Sequence, residues 1–334
     1  MKKFFIATFA CAALASCYNN DTTIATNLEP INFGDNFVEN SVRADDPTYG
    51  AGKLISEFYV YGTVNGVNIF NADRVYSLNT DGSVDAYNAA WNCDKTQYWI
   101  DGAAYDFAAV VDANTVNVDN STKMPVSLEY TAAGQKDLLY AEFQTTGKPA
   151  ANNGLVGFTF KHLLSKVNVT FQNTTTGEDA GYKIKVRDIK FDNSYATGTY
   201  AMTTDDKGVW TGNGTWTGET ATDAYTDFGS IEGVANGGSA TIATERLVIP
   251  TTEPLKLSFI VDIVYVSVDN GITTETTITT TEYTGDKAKT IATNLVAGYA
   301  YNITISQSLG SKIEFTVSQN PAWVNGSNPG KIEL

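Results

Sequence analysis

The sequence predicts an all-β chain, and three observations carry that expectation. Apolar residues recur at every second position in runs such as Val156-Gly-Phe158-Thr-Phe160 and Leu255-Lys-Leu257-Ser-Phe259-Ile-Val261, the period of a half-buried strand. Tyr, Phe, Val, Ile and Thr are plentiful, only 3 Met occur in 334 residues, and no long segment carries apolar residues at helical spacing. Asn-Gly and Asp-Gly dipeptides at residues 65–66, 81–82, 101–102 and 270–271 separate the runs with residue types that tolerate positive φ and close hairpins. Strands at this density, without helical crossovers, imply antiparallel Greek-key β-sandwiches, and the length suffices for two in tandem.

The first element, residues 1–16, is a leader. Met1-Lys-Lys precedes the apolar run Phe4–Leu14, which has the length of a signal peptide rather than of a membrane span. Leu14-Ala15-Ser16-Cys17 resembles the lipobox of bacterial lipoproteins, in which cleavage before the Cys leaves Cys17 first and acylated; a soluble secreted protein with a chance Cys is the other reading. Burial of acyl chains at about 0.8 kcal/mol per CH₂ makes such a terminus a stable outer-membrane anchor. Removal of the leader takes Lys2 and Lys3 with it, so 20 basic residues face 37 acidic ones and the net charge moves from −15 to −17. Nucleic acid is excluded as a partner by that field. With Cys17 lipidated, Cys93 has no intramolecular partner, and its expected role is that of a small core hydrophobe.

Residues 17–43 read as a polar tether followed by a short first strand, with Ile31 and Phe33 alternating around Asn32 and a polar, breakable loop at Glu39–Pro47. Residues 44–150 form a first expected sandwich domain, with strands at Leu54–Thr63, Val67–Phe70, Arg74–Leu78, Gln97–Ile100, Tyr105–Val111, Val126–Glu129 and Leu138–Phe143. The aperiodic, turn-rich stretch 145–154 marks the boundary. Residues 151–334 form the second, with strands at Val156–His162, Lys166–Phe171, Ile184–Phe191, Leu255–Tyr265, Ile272–Tyr283, Tyr299–Ile305 and Ile313–Val317. Parity changes between Ile184/Val186 and Ile189/Phe191, which predicts a bulge at Arg187-Asp188.

Residues with chemistry to offer are few. His162 is the sole histidine, which removes most general-base and zinc arrangements, and between Phe160 and Leu163 it reads as packed or hydrogen-bonded. Cys93 lacks a partner base. Gly212-Asn-Gly214 and Gly237-Gly238 read as turns, Asn79–Asp85 as a solvated turn rather than a calcium loop, and Asp205-Asp206 as carboxylates that no rule brings to glycosidase spacing. No cofactor and no metal is expected. Trp91, Tyr98, Trp99, Tyr105, Trp210 and Trp216 are the candidates for stacking on sugars, although in a sandwich large aromatics are usually core; Trp210–Trp216, rich in Gly and Thr, reads as a solvent-facing loop.

Several runs resemble one family. The lipobox, the Ile31–Phe33 segment ending near an Arg, Lys136-Asp-Leu-Leu-Tyr-Ala141, Phe158-Thr-Phe-Lys-His162-Leu-Leu-Ser-Lys-Val167 and the late Trp323 are similar to the fimbrillin (Mfa-like) family of type V pili. The resemblance implies two transthyretin-like β-sandwich domains, export as a lipoprotein, and cutting after an Arg by an extracellular protease. That cut removes the first strand with its lipid, and the empty groove is filled by a C-terminal strand of the next subunit. On this sequence Arg43-Ala44 is the expected cut, with an uncut linker Arg as the alternative, and Ile31 and Phe33 mark the removable strand; Ile313, Phe315 and Val317 form one candidate donor strand, the segment with Trp323, Val324, Ile332 and Leu334 is the other, and the third reading is that both belong to this subunit's own fold, as in a tip or anchor subunit. The implied role is a subunit or accessory adhesin of a cell-surface pilus, non-enzymatic, whose partners are other pilus subunits, the outer-membrane lipid before processing, and receptors on host or bacterial surfaces. The alternative is a surface glycan-binding lipoprotein of a nutrient-uptake system.

Overall fold

The computed structural model describes residues 29–34, 37–38, 57–77, 91–175, 181–204, 210–220, 227–235, 237–241, 245–290, 294–308, 314–320 and 332–333. These residues form four sheets and no α-helix, so the chain is all-β. The largest sheet has seven strands, in the order Phe37–Val38, Thr159–His162, Leu139–Thr146, Ala104–Val111, Glu57–Val64, Val67–Ser77 and Trp91–Cys93. A four-stranded sheet orders Trp210–Thr220, Tyr195–Thr204, Pro125–Thr131 and Thr115–Val118.

The seven-stranded sheet is buried on both faces, and the alternation within Ala104–Val111 shows how. Tyr105, Phe107 and Ala109 point into one core with Phe58, Phe158 and Phe160, whereas Ala108 and Val110 point into another, shared with Leu128, Tyr130, Tyr200 and Met202 of the four-stranded sheet. Period-two geometry divides one strand between two cores.

A third core lies between two further sheets. One holds Ser239–Thr241, Ser165–Asn173, Ala300–Gln307, Glu314–Asn320 and Ile332–Glu333 in that order, with Arg246–Val248 also on Ser165–Asn173; the other holds Asp227–Ala235, Tyr182–Phe191, Lys256–Asp269 and Ile272–Tyr283, with Lys289–Thr290 also on Lys256–Asp269. Val167, Val169, Phe171, Ile303 and Ile305 of the first face Ile184, Val186, Leu257, Phe259 and Val261 of the second. Pairing within these sheets is antiparallel except between Ser165–Asn173 and Ala300–Gln307, which run parallel with partners 134 positions apart.

Local chemistry explains the connections. Asn65-Gly66 (φ 48° and 76°) and Asn270-Gly271 (φ 50° and 79°) are two-residue hairpin loops with both residues left-handed, the geometry that matches strand twist. Asp188 takes φ 55° and register shifts beside it, so Ile184, Val186, Ile189 and Phe191 all reach the same core across a bulge. Ala72, at φ 58°, is bulged out likewise, and Val67–Ser77 is one strand rather than the two expected at Val67–Phe70 and Arg74–Leu78.

Trp210–Thr220 corrects the expectation of a solvent-facing loop. It is an 11-residue strand on Tyr195–Thr204, with a bulge between Met202 and Thr203 that absorbs the residues around Gly212-Asn-Gly214. Gly214 serves backbone approach rather than a turn: a Cβ there would meet the Ala201 carbonyl oxygen at 2.3 Å. Leu255–Val261 meets the core at odd positions as expected, but register against Ile272–Tyr283 shifts between Ile263 and Val264, where Ile263 is half-buried, Val264 buried and Tyr265 exposed. Two sheets draw strands from both sides of residue 150. Thr159–His162 joins the seven-stranded sheet, and Tyr195–Thr204 pairs with Pro125–Thr131.

The N-terminal segment and its groove

Residues 29–34 are extended because the Ile-Asn-Phe alternation has apolar surface to bury on one side only. Ile31 and Phe33 are 3 % and 4 % exposed, while Asn32 between them is exposed. Four backbone hydrogen bonds hold the segment. The Ile31 N–H donates to the Gln97 carbonyl at 2.8 Å, Trp99 N–H to Glu29 at 3.0 Å, Val156 N–H to Asn32 at 2.9 Å and Gly34 N–H to Val156 at 3.0 Å. Pairing is antiparallel to the Gln97–Trp99 side and parallel on the Val156 side, where it continues as Phe37–Val38 along Thr159–Phe160.

The groove is aromatic. Phe33 lies edge-on to Phe58, Phe70 and Phe107 at centroid distances of 6.1, 5.7 and 6.4 Å, and stacks on Phe158 at 6.1 Å with an interplanar angle of 13°. Edge-to-face pairs at such distances contribute about 0.5–1.5 kcal/mol each beyond area burial. Trp99 packs across Tyr105 at 4.8 Å, and the Tyr105 hydroxyl accepts the Ile100 N–H at 2.6 Å and donates to the Tyr98 carbonyl at 3.2 Å, which fixes the groove's outer wall. Outside it, Lys148 pairs with Glu29. That pair is solvent-exposed and worth little, so ring packing dominates the hold.

The other residues singled out in the sequence fall in three groups. Cys17, Arg43, Ala44, Ile313, Asn79–Asp85, Asp205-Asp206, Trp323, Val324 and Leu334 lie outside the described residues. Phe315 and Val317 belong to Glu314–Asn320, whose backbone pairs along Ala300–Gln307 with Phe315 opposite Ile305 and Val317 opposite Ile303, and Ile332 follows opposite Val317. Of the candidate sugar stackers, Trp99 and Tyr105 are buried, Trp91 packs on Phe58 at 5.5 Å, and Trp216 packs on Tyr200 at 5.3 Å with its Nε1 donating to the Leu163 carbonyl at 2.8 Å. Tyr98 is exposed.

The two runs quoted for the resemblance prove to be neighbours. Leu139 pairs with His162 and Tyr140 with Lys161, and His162 Nδ1 lies 2.7 Å from the Asp137 carboxylate in a buried pair. Phe158 and Phe160 enter the groove's core, Leu163 and Leu164 the second core, and Val167 the third. One ten-residue stretch therefore joins all three, which is a physical reason for its Phe-x-Phe-x-His-Leu-Leu pattern. The model of the fimbrillin-like family matches residues 43–320. The chain belongs to the fimbrillin-like family.

One solved structure carries the likeness in fold. A fimbrial protein from Bacteroides vulgatus superposes with a TM-score of 0.59 at 16 % identity, covering 88 % of this chain and 99 % of that one. A putative cell adhesion protein from Bacteroides uniformis gives 0.48 at 19 % identity, covering 89 % and 99 %. No curated protein matches the chain. The fimbrillin-like family is structural rather than enzymatic, and membership places this chain among pilus-related surface subunits. Among the described residues no helix is long and apolar enough to cross a membrane.

What the sequence missed is how the groove is walled. Gln97–Trp99, Val156 and Lys148 lie far from Ile31 in the chain, and only the closure of the sheet brings them together.

Proposed function

We propose that this fimbrillin-like chain is an outer-membrane lipoprotein, anchored through Cys17, that becomes a polymerising pilus subunit when cleavage at Arg43-Ala44 frees its N-terminal segment. The carrying observation is that Ile31 and Phe33 fill an aromatic groove through short, local ties that a cut chain can surrender. Burial of two such side chains contributes about 3–6 kcal/mol, and four ladder hydrogen bonds add about 0.5–1.5 kcal/mol each. A segment held at that level stays in place while tethered, and its loss leaves unpaired backbone and an uncovered apolar slot that an added strand satisfies.

The occupant we propose is the C-terminal segment of the next subunit. Ile313-Glu-Phe315 repeats the spacing and side chains of Ile31-Asn-Phe33, so the same two pockets suit it, with Val317 following. Receptors on host or bacterial surfaces are the partners of the finished filament. The test is Arg-specific proteolysis of surface-displayed protein. A new terminus at Ala44, with oligomers that resist SDS until heated, is the expected result, and Arg43→Ala should abolish both. Intact residues 18–43 on shed, assembled protein would overturn the proposal.

A further inference from the structure

The five-stranded grouping ends in a strand, Ile272–Tyr283, that pairs on one side with Lys256–Asp269; among the described residues no strand pairs with its other side. It is 12 residues long, and the hairpin it completes projects past the sandwich, leaving Ile272 69 % and Ile278 56 % exposed. Soluble proteins blunt such edges with Lys, Pro or inward-pointing charge. Ile272–Tyr283 contains no Lys, Arg or Pro, and seven of its residues are Thr.

Of its two carboxylates, Glu275 is answered within the molecule and Glu282 stands exposed. Glu275 takes Lys183 at 3.1 Å and Lys185 at 2.8 Å, and Asp262 on the adjoining strand takes Arg187 at 2.9 Å and the Thr280 hydroxyl at 2.6 Å. Three basic side chains, Lys183, Lys185 and Arg187, thus offset carboxylates on this part of the sheet although the chain carries −15. The order of residues also reads nearly alike in both directions about Ile278. If the strand meets its own copy antiparallel with Ile278 on the two-fold axis, Thr277 faces Thr279, Thr276 faces Thr280, Glu275 faces Thr281 and Thr274 faces Glu282. No carboxylate meets another, and Thr–Thr and Thr–Glu pairs are favourable across strands. Ile278 is the residue bulged out of the inner ladder, between the pairs Ile263–Thr279 and Val264–Thr277. On the axis both copies bend alike.

We propose that this edge is a self-complementary docking strand, through which two copies of the chain join laterally into one continuous sheet. The contact uses the C-terminal sandwich and leaves the N-terminal groove untouched, so it stands or falls independently of strand replacement there.

The experiment uses the full chain with Cys11→Ser, Cys17→Ser and Cys93→Ser. In that background Ile278→Cys should form a disulfide-linked dimer, because directly opposed residues stand close enough to bridge, whereas Ile272→Cys, whose opposite number is Thr284, should not. Ile278→Lys should weaken self-association on the order of a hundredfold, through like charges meeting on the axis. At concentrations where both proteins are monomeric its melting temperature should stay unchanged, since Ile278 is exposed. Monomer at every concentration in sedimentation equilibrium overturns the proposal, as does equal cross-linking at both positions. Protection of the 272–283 amides only on adding an extended peptide would also overturn it, since the occupant would then be a foreign strand.

Discussion

At the level of single residues, Phe33 is the side chain on which the N-terminal segment depends. Four rings surround it, contributed by strands that begin at Glu57, Val67 and Ala104 and by Phe158, so truncation leaves a cavity that no one strand can collapse to fill. Phe33→Ala should cost about 3–5 kcal/mol of local stability. Hydrogen exchange should show faster exchange at the Ile31, Gly34, Trp99 and Val156 amides while Val167–Phe171 stays protected; equal loosening at both places would mean that the segment is integral to the whole fold. The alternation of Ile31 and Phe33 was legible in the sequence. The cage was not, because its rings come from distant strands. Buried tyrosines give a second readout: burial pushes the Tyr61, Tyr200 and Tyr301 phenols up to about 12. An unfolded phenol titrates near 10, so the stability these neutral groups contribute is complete below about 10 and is lost as pH climbs toward about 12. In an alkaline titration, their phenolate absorbance should appear together with loss of near-ultraviolet dichroism.

Among elements, hairpins were read best, because their signal is local. Asn65-Gly66 and Asn270-Gly271 fall where two left-handed residues are required, and Gly271 at φ 79° holds a conformation that a β-branched side chain resists. Gly271→Val should destabilise the projecting hairpin by about 1–2 kcal/mol. Amide protection should fall along Ser267–Thr277 with little change in the melting of the sandwich beneath, and an equal fall in both would show that the projection is not a separate unit. Trp210–Thr220 was read worst. Its glycines carry the composition of a loop, yet Gly214 sits where backbone passes close to Ala201 and Gly218 where it passes close to Thr197, and a strand that needs Gly for clearance looks from sequence like one that needs it for a turn. Tyr195–Thr204 escaped for a related reason: its partner Pro125–Thr131 is remote, and propensity does not report pairing.

For the molecule as a whole, Phe158–Val167 is the place where three cores meet. Leu164, fully buried in the second of them, lies between residues that belong to the first and the third. Leu164→Ala should cost about 2–5 kcal/mol, and exchange at the Phe58 and Phe259 amides should accelerate together. A change confined to residues near Leu164 would instead make the cores independent. The turn-rich stretch at 145–154 was legible as a break in periodicity, but a break in pattern does not say which sheet the next strand enters. Thr159–His162 goes back to the sheet before it.

The parallel pairing of Ser165–Asn173 with Ala300–Gln307 carries a consequence for biogenesis. Parallel partners cannot be joined by a tight turn, and here the intervening loop is most of the second half of the chain. As the chain is made from its N-terminus, the earlier strand exists long before its mate, so the backbone groups that face Ala300–Gln307 wait uncovered until that strand is made. A half-built sheet must therefore persist while the intervening residues are added, and the arrival of Ala300–Gln307, rather than any early collapse, decides when the third core closes.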